Sequence, residues 1–416
     1  MRPIQTVANH LNTLLRTPFV QGWSPALGAL LVVLGMGFFL LTGNVWSVFA
    51  GVRYVGDAIN NVLGLGPFLQ LDEHLLNPLR HRSFVSDMAM VLGAMGAAML
   101  SGRFRLSLPA PTEYGSAALG GILMGIGASL AGGCTVGGFF TPLVFASPAG
   151  WMMLVGLMLG AAVGVRFLLW AMEALPWGRA PKPLFTGAGW QLFFTWLGWL
   201  LLLAGVAWGL FWLTQGGQDA TLTQRGYIVL IALFLGVNLQ RSRLCFSRAV
   251  REPFETGSGR FARAVMLAIL LVTPLSALII SQLQIDVYAI IPPRFWWGSL
   301  LGGCLFGVGM VLGSGCAASS LWRLGEGNLK MVVTLLFFAW SGSTSFALMR
   351  MQGWLELDVD VEYLDGVPTL TALGYQTYLP DLLGGWGWTM GVTLLIVVVW
   401  YILVQYNEKN ETFTLF

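Results

Sequence analysis

Residues 120–138 read GGILMGIGASLAGGCTVGG, and residues 302–320 read GGCLFGVGMVLGSGCAASS. Laid at an offset of 182 residues, Cys134 falls on Cys316. The glycines at 120/302, 121/303, 125/307, 127/309 and 133/315 coincide as well, as do Leu123/Leu305 and Leu130/Leu312. The common pattern is G-x-G-x-x-x-[A/G]-x-G-C. A cysteine-centred repeat inside apolar sequence is the mark of a duplicated membrane transporter half.

Composition sets the class. Charged residues make up 10% of the 416 residues and hydrophobic ones 56%, against roughly 25% charged in a soluble domain. Mean hydropathy is +0.73. These values predict an all-α polytopic membrane protein. Eighteen Trp suit interfacial belts and 54 Gly suit close helix packing. A net charge of +3 gives no argument for nucleic acid. No C-x-x-C occurs, and the three His (10, 74, 81) stand apart from the four Cys (134, 245, 304, 316). Neither a metal site, a cofactor nor a disulfide framework is expected. No cleavable signal peptide is read in residues 1–24, so the first span is expected to target the chain.

Spans of about 20 apolar residues are expected at 25–43, 84–101, 116–134, 148–174, 190–214, 224–240, 264–281, 297–314, 331–350 and 386–405. Positive charge gives the orientation. Arg103, Arg105, Arg179, Lys182 and the arginines from 241 to 263 fall on one side. The other side carries Arg53, Arg80, Arg82, Arg225 and Arg294, and a stretch from 351 to 381 with no basic residue. This bias puts both termini in the cytoplasm. The organisation is then a cytoplasmic segment 1–24, a first repeat 25–174 and a linker helix 175–223. A second repeat 224–350, an acidic outer loop 351–385, and a last span with tail 386–416 follow. One linker helix flips the second half over, so the repeats are expected to be inverted. Their Gly/Cys-rich broken or re-entrant elements then meet near the midplane. Segments 44–66 and 241–260, each following the first span of its half, are read as re-entrant or interfacial pieces.

Cys134 and Cys316 each close a glycine run, where a broken helix frees backbone N–H groups for an anion. Gly133, Thr135, Ser314 and Gly315 flank them, and the hydroxyls of Thr135 and Ser314 add donors. The competing view of either motif alone is packing glycine beside an inert thiol; duplication weighs against it. Cys245 stands in RSRLCFSRAVRE. Arg241 and Arg243 precede it, which would draw an anion and favour thiolate; a chance cysteine beside a positive-inside cluster is the alternative. Cys304 aligns with Ile122 and is read as apolar filler. Arg166 is either a snorkelling end residue or a pathway charge. No acidic residue recurs at equivalent intramembrane positions, and no nucleotide-binding motif is present.

The glycine run ending in Cys134, the R-x-x-x-C-F of Arg241–Phe246 and the run ending in Cys316 resemble the YeeE/YedE family of membrane proteins. Its members include thiosulfate permeases and proteins linked to uptake of selenium or other sulfur compounds. The resemblance implies that Cys134, Cys245 and Cys316 line a central constriction and pass a sulfur anion along by thiol contacts. It implies a bacterial inner-membrane location and partnership with a small cytoplasmic sulfur carrier of the TusA type. The family pattern C-x-x-G is kept by Gly137, while Ser319 replaces glycine in the second half. The expected function is a permease for a small sulfur anion such as thiosulfate, and not an enzyme. The alternatives are a transporter of another sulfur or selenium species, a membrane thiol protein relaying sulfur through a persulfide on Cys245, and a transporter of another solute whose cysteines only pack.

Overall fold

The computed structural model describes residues 19–71, 77–174, 182–183, 188–216, 220–287, 296–352, 378–411 and 413–414. The N-terminal segment 1–18 and the acidic stretch 353–377 expected to form an outer loop lie outside these residues. The described chain is helical, apart from one two-stranded antiparallel ladder, β1 Ser107–Leu108 against β2 Lys182–Pro183.

The first half contains α1 Pro25–Leu41, α2 Val48–Val62, α3 Arg82–Leu100, α4 Pro111–Leu130, α5 Thr141–Val144 and α6 Pro148–Ala174. Helix α7, Ala188–Gln215, follows it. The second half contains α8 Ala220–Ser242, α9 Phe246–Glu255, α10 Arg260–Leu283, α11 Trp296–Leu312, α12 Ala317–Gly325 and α13 Lys330–Met351. The short α14 Leu379–Leu383 and the long α15 Trp386–Asn410 close the chain. Nine helices among the described residues are long and apolar enough to cross a membrane, and α1 is a shorter apolar helix of 17 residues. Each of the ten expected spans coincides with a helix.

Local chemistry starts these helices where they start. Pro25 opens α1 directly after Ser24, whose Oγ accepts the Leu27 N–H at 3.2 Å. The Nδ1 of His81 caps α3 by accepting the Phe84 N–H at 3.2 Å. Pro111 opens α4, and Glu113 reaches back to the Ala110 N–H at 3.0 Å. The outward faces of α7 and α15 are apolar: Trp196, Leu200 and Leu203 on one, and Leu395 and Ile402 on the other, are more than half exposed. Such surface suits lipid and not water.

Glycine fixes how the halves meet. A Cβ on Gly120 would strike Gly313 N and Gly309 O, and a Cβ on Gly309 would strike Gly120 O and Met124 N. Gly127 and Gly302 oppose each other in the same way, with a Cβ on Gly127 reaching Gly302 O at 2.6 Å. Low numbers on α4 therefore face high numbers on α11, and the two helices run antiparallel. Exchanging each residue for its counterpart at the 182-residue offset turns one glycine contact into the other. Other pairings exchange likewise: α4 packs on α13 and α6 on α11, while α3 packs on α8 and α1 on α10. The segments that did not fit simple spans fold as the short helices α2 and α9. They pack inside the bundle, α2 on α3 and α13, and α9 on α6 and α10.

Gly127→Leu forces the α4–α11 crossing apart. Overpacking of this kind costs about 1–3 kcal/mol, so the melting temperature in detergent should fall clearly. Gly115→Leu is the control, since a Cβ there meets nothing within 4 Å, and it should melt like the native chain.

Candidate functional site

Three helices are each followed by a left-handed residue that stands two places before a cysteine. The residues are Gly132 (φ +67°) before Cys134, Arg243 (φ +58°) before Cys245, and Ser314 (φ +62°) before Cys316. Gly132 and Ser314 are counterparts in the repeat. At both, the backbone forms the same terminating motif. Gly133 N–H donates to Ala128 O at 2.7 Å and Gly132 N–H to Ser129 O at 3.3 Å. Gly315 N–H donates to Met310 O at 2.9 Å and Ser314 N–H to Val311 O at 3.1 Å. The orphan carbonyls of a helix broken inside apolar surroundings are thereby satisfied. Gly133 is needed for the turn itself, because a Cβ there would meet Gly137 C at 2.6 Å. Ser314 takes the left-handed conformation without being glycine. Lys330 Nζ donates to its Oγ at 2.9 Å, and Arg323 donates to its carbonyl.

Each cysteine then caps a new helix. Cys134 precedes a wide π-type turn, Thr135–Phe140, that leads into α5; Cys245 precedes α9, and Cys316 precedes α12. Their carbonyls take the first helical bonds, from Gly138 N–H at 2.5 Å, Ala249 N–H at 3.0 Å and Ser320 N–H at 2.8 Å. A fourth break has the same form without a thiol. Ser47 caps α2 with φ −141° and ψ 115°, close to the φ −145° and ψ 121° of Cys245.

The thiols gather at these helix starts. Cys134 and Cys316 are fully buried and Cys245 nearly so. The N–H groups of Val136, Gly137 and Phe49 point at the Cys134 sulfur, so the starts of two helices serve one thiol. Cys245 and Cys316 touch through their side chains, with Ser319 beside both. Ser319 Oγ also donates to Cys316 O at 3.0 Å. The Thr135 hydroxyl lies next to the Cys316 thiol without completing a hydrogen bond of ordinary geometry. Helix starts carry partial positive charge, so several such fields converge on the sulfurs. Phe246 closes the node on one flank. Its ring lies 5.2 Å from Phe140, 6.3 Å from Phe139 and 6.5 Å from Trp46.

A cavity of about 290 Å³ leads from the surface to this node. Cys245, Gly315 and Ser319 line its inner end, and Arg243, Arg248, Arg251 and Arg323 line its walls. Arg243 pairs with Glu326 at 2.8 Å and Arg251 with Glu255 at 2.9 Å, while Arg248 pairs with Glu252. Arg323, by contrast, makes no ion pair among the described residues and is held on the Ser314 carbonyl. The side chains of Arg243 and Arg248 keep 33% and 39% of their surface exposed, which places them at the mouth.

The sequence-selected residues thus separate. Cys134, Cys245, Cys316, Thr135, Ser314, Gly315 and Gly133 belong to the node or its turns, and Arg243 to the cavity wall. Arg241 turns elsewhere: it is fully buried and donates to Gln21 O at 2.5 Å. Cys304 packs on the backbone of Gly156 and Gly160, and Arg166 is exposed on the outside of α6. Sequence reasoning passed over Arg323 as a site residue, over the Phe49 N–H, and over the aromatic cover from Trp46 and Phe246. The R-L-G-E run at 323–326 carries no local sign that Arg323 folds back onto Ser314. Among the described residues no three His, Cys, Asp or Glu side chains stand together to hold a metal ion.

Contact between Cys245 and Cys316 has a direct chemical consequence. In a form with Cys134 and Cys304 replaced by Ser, mild oxidation should remove both remaining thiols together, read as free thiols by mass. A form keeping only Cys134 and Cys304 should retain both.

Comparison with known proteins gives the family. The sulphur transport family model matches residues 3–163 and 241–414, the segments that carry all three cysteine breaks. The probable transporter YedE of Escherichia coli is 26% identical over 323 residues, covering 74% of this chain and 77% of that protein. The probable transporter YedE of Salmonella typhimurium is 27% identical, covering 76% and 78%. The thiosulfate transporter TsuA of Spirochaeta thermophila is 32% identical over a shorter stretch, 37% of this chain and 49% of that protein. This chain belongs to the sulphur transport family, the YeeE/YedE group that its cysteine motifs resemble.

Proposed function

We propose that this chain is a permease of the bacterial inner membrane that carries thiosulfate through the cysteine node. Membership of a sulphur transport family and the likeness to TsuA support a sulfur-compound transporter. The observation that carries the finer reading is the contact of the Cys245 and Cys316 thiols, with Thr135, the residue after Cys134, beside Cys316, beneath an arginine-walled cavity.

The chemistry fits a partly soft anion. Stripping water from an anion in apolar surroundings is costly unless other donors replace it. Backbone N–H groups at the broken helices, the hydroxyls of Ser319 and Thr135, and the thiols offer such donors. A neutral thiol is a weak donor. Weak, serial contacts let a bound ion leave as well as enter. The terminal sulfur of thiosulfate is a matching soft partner for Cys134, Cys245 and Cys316. The cavity arginines lie on the side that the positive-inside bias assigns to the cytoplasm, so Arg323 and its neighbours would take up the anion as it leaves the node. Both termini are then cytoplasmic. The three sulfurs are buried, which corresponds to a closed pathway.

Thiosulfate uptake should be measured in a bacterial strain lacking other sulfate and thiosulfate uptake. The native chain should restore growth on thiosulfate. Cys134→Ala and Cys316→Ala should each lower uptake about tenfold or more, equivalent to losing about 1.4 kcal/mol at the barrier. Cys304→Ala should transport like the native chain. Full uptake after replacement of all three node cysteines would refute the cysteine pathway.

A further inference from the structure

Asp87 sits in α3 with 5% of its surface exposed, and both carboxyl oxygens are buried with no hydrogen-bond partner among the described residues. Space for it is made by Gly51 of α2, where a Cβ would press on Asp87 Oδ2 and on Ser83 O. Two residues before Gly51, the Phe49 N–H points at the Cys134 sulfur, and the charge of Asp87 reaches Cys134. The carboxyl group therefore lies beside the node.

No other ionisable group supports it. On α2, Asp57 accepts from Ser343 Oγ at 2.6 Å, Arg53 lies 3.9 Å over the Phe346 ring, and Tyr54 stacks on His81 at 4.5 Å. His81 caps α3, with Arg80 and Arg82 flanking it at the end of that helix. Helix α8 carries Arg225 over the Trp212 ring, Tyr227, and the buried Arg241 at its far end. Described residues of α7 include no ionisable side chain. Arg323 of α12 is held on Ser314. None of these forms an ion pair or hydrogen bond with Asp87 among the described residues.

We propose that Asp87 is a proton site coupled to anion passage, which makes the chain a proton–anion symporter. The proposal rests on the permease reading above. A carboxylate shut away from water without donors or a counter-ion is strongly disfavoured, and the group escapes the penalty by taking a proton. In this closed state Asp87 is neutral. When the pathway opens to water, the carboxyl can ionise. An ionised Asp87 repels an anion approaching Cys134, whereas the protonated form does not. Proton and anion then bind best together, and each raises the affinity for the other by the same factor. In each cycle a proton from water on the uptake side forms the O–H bond of Asp87. That proton returns to water on the other side as the anion leaves, and no electrons move.

Two measurements test this. Infrared spectra of the purified chain at neutral pH should contain a protonated-carboxyl C=O band that shifts on 13C-aspartate labelling and is missing in Asp87→Asn. Absence of a labelled band from the native chain overturns the proposal, whether or not the variant folds. In proteoliposomes with the membrane potential clamped, an inside-alkaline gradient of about one pH unit should raise thiosulfate accumulation about tenfold per coupled proton. Asp87→Asn should lose this response. Thiosulfate uptake by the native chain that ignores the gradient overturns the coupling. No thiosulfate uptake at all overturns the permease reading instead, and the infrared band still decides the state of Asp87.

Discussion

A backbone that breaks inside apolar surroundings has no water to satisfy the groups it frees. Everything at the centre of this protein follows from how those groups are met. At Gly132 and Ser314 the helix carbonyls are closed by the same left-handed turn. On the other side of each turn the first N–H groups of a new helix remain, and the cysteines stand at those ends. The device that lets the chain break inside the bundle therefore also leaves donor-rich, partly positive helix starts there. The same closing turn precedes Cys134 and Cys316, and each of these cysteines, like Cys245 and Ser47, then stands at the start of a new helix.

That solution requires close support. Short helices α2 and α9 could not stand in lipid with their starts uncapped, and they survive because long helices enclose them. Enclosure depends on backbones approaching within contact distance at Gly120, Gly127, Gly302 and Gly309, where a methyl group would already collide. The repeat glycines and the cysteines are thus separate parts of one design. The first set brings the two halves together, and the second occupies the point where they meet.

Charge is arranged unevenly around that point. On the cavity side, four arginines face the node, three of them tempered by glutamates. Arg323 has a structural task as well, since it holds the strained Ser314 backbone two residues before Cys316. Beside Cys134 lies the carboxyl group of Asp87, with no hydrogen-bond partner among the described residues. The second half departs from the C-x-x-G pattern at Ser319, and its hydroxyl, which donates to the Cys316 carbonyl, stands beside both Cys245 and Cys316.

Much of this protein was legible in the sequence because membrane constraints are severe. Apolar stretches of span length leave few options but helices, and all ten expected spans are helices. The duplicated G-C motif located two of the three breaks, and the segments 44–66 and 241–260 stood out because they are only moderately apolar and each follows the first span of its half. Side-chain direction was not legible. Arg241 and Arg243 are two residues apart, yet one turns to Gln21 and the other to the cavity, because the left-handed residue at 243 redirects the chain. Nothing in the sequence singled out Asp87, and only the fit of Gly51 against it shows that it is sealed in. Composition and periodicity report how much surface must leave water. Which thiol touches which, and which charge is left without a partner, depends on contacts between residues far apart in the chain, and only the packed structure decides those.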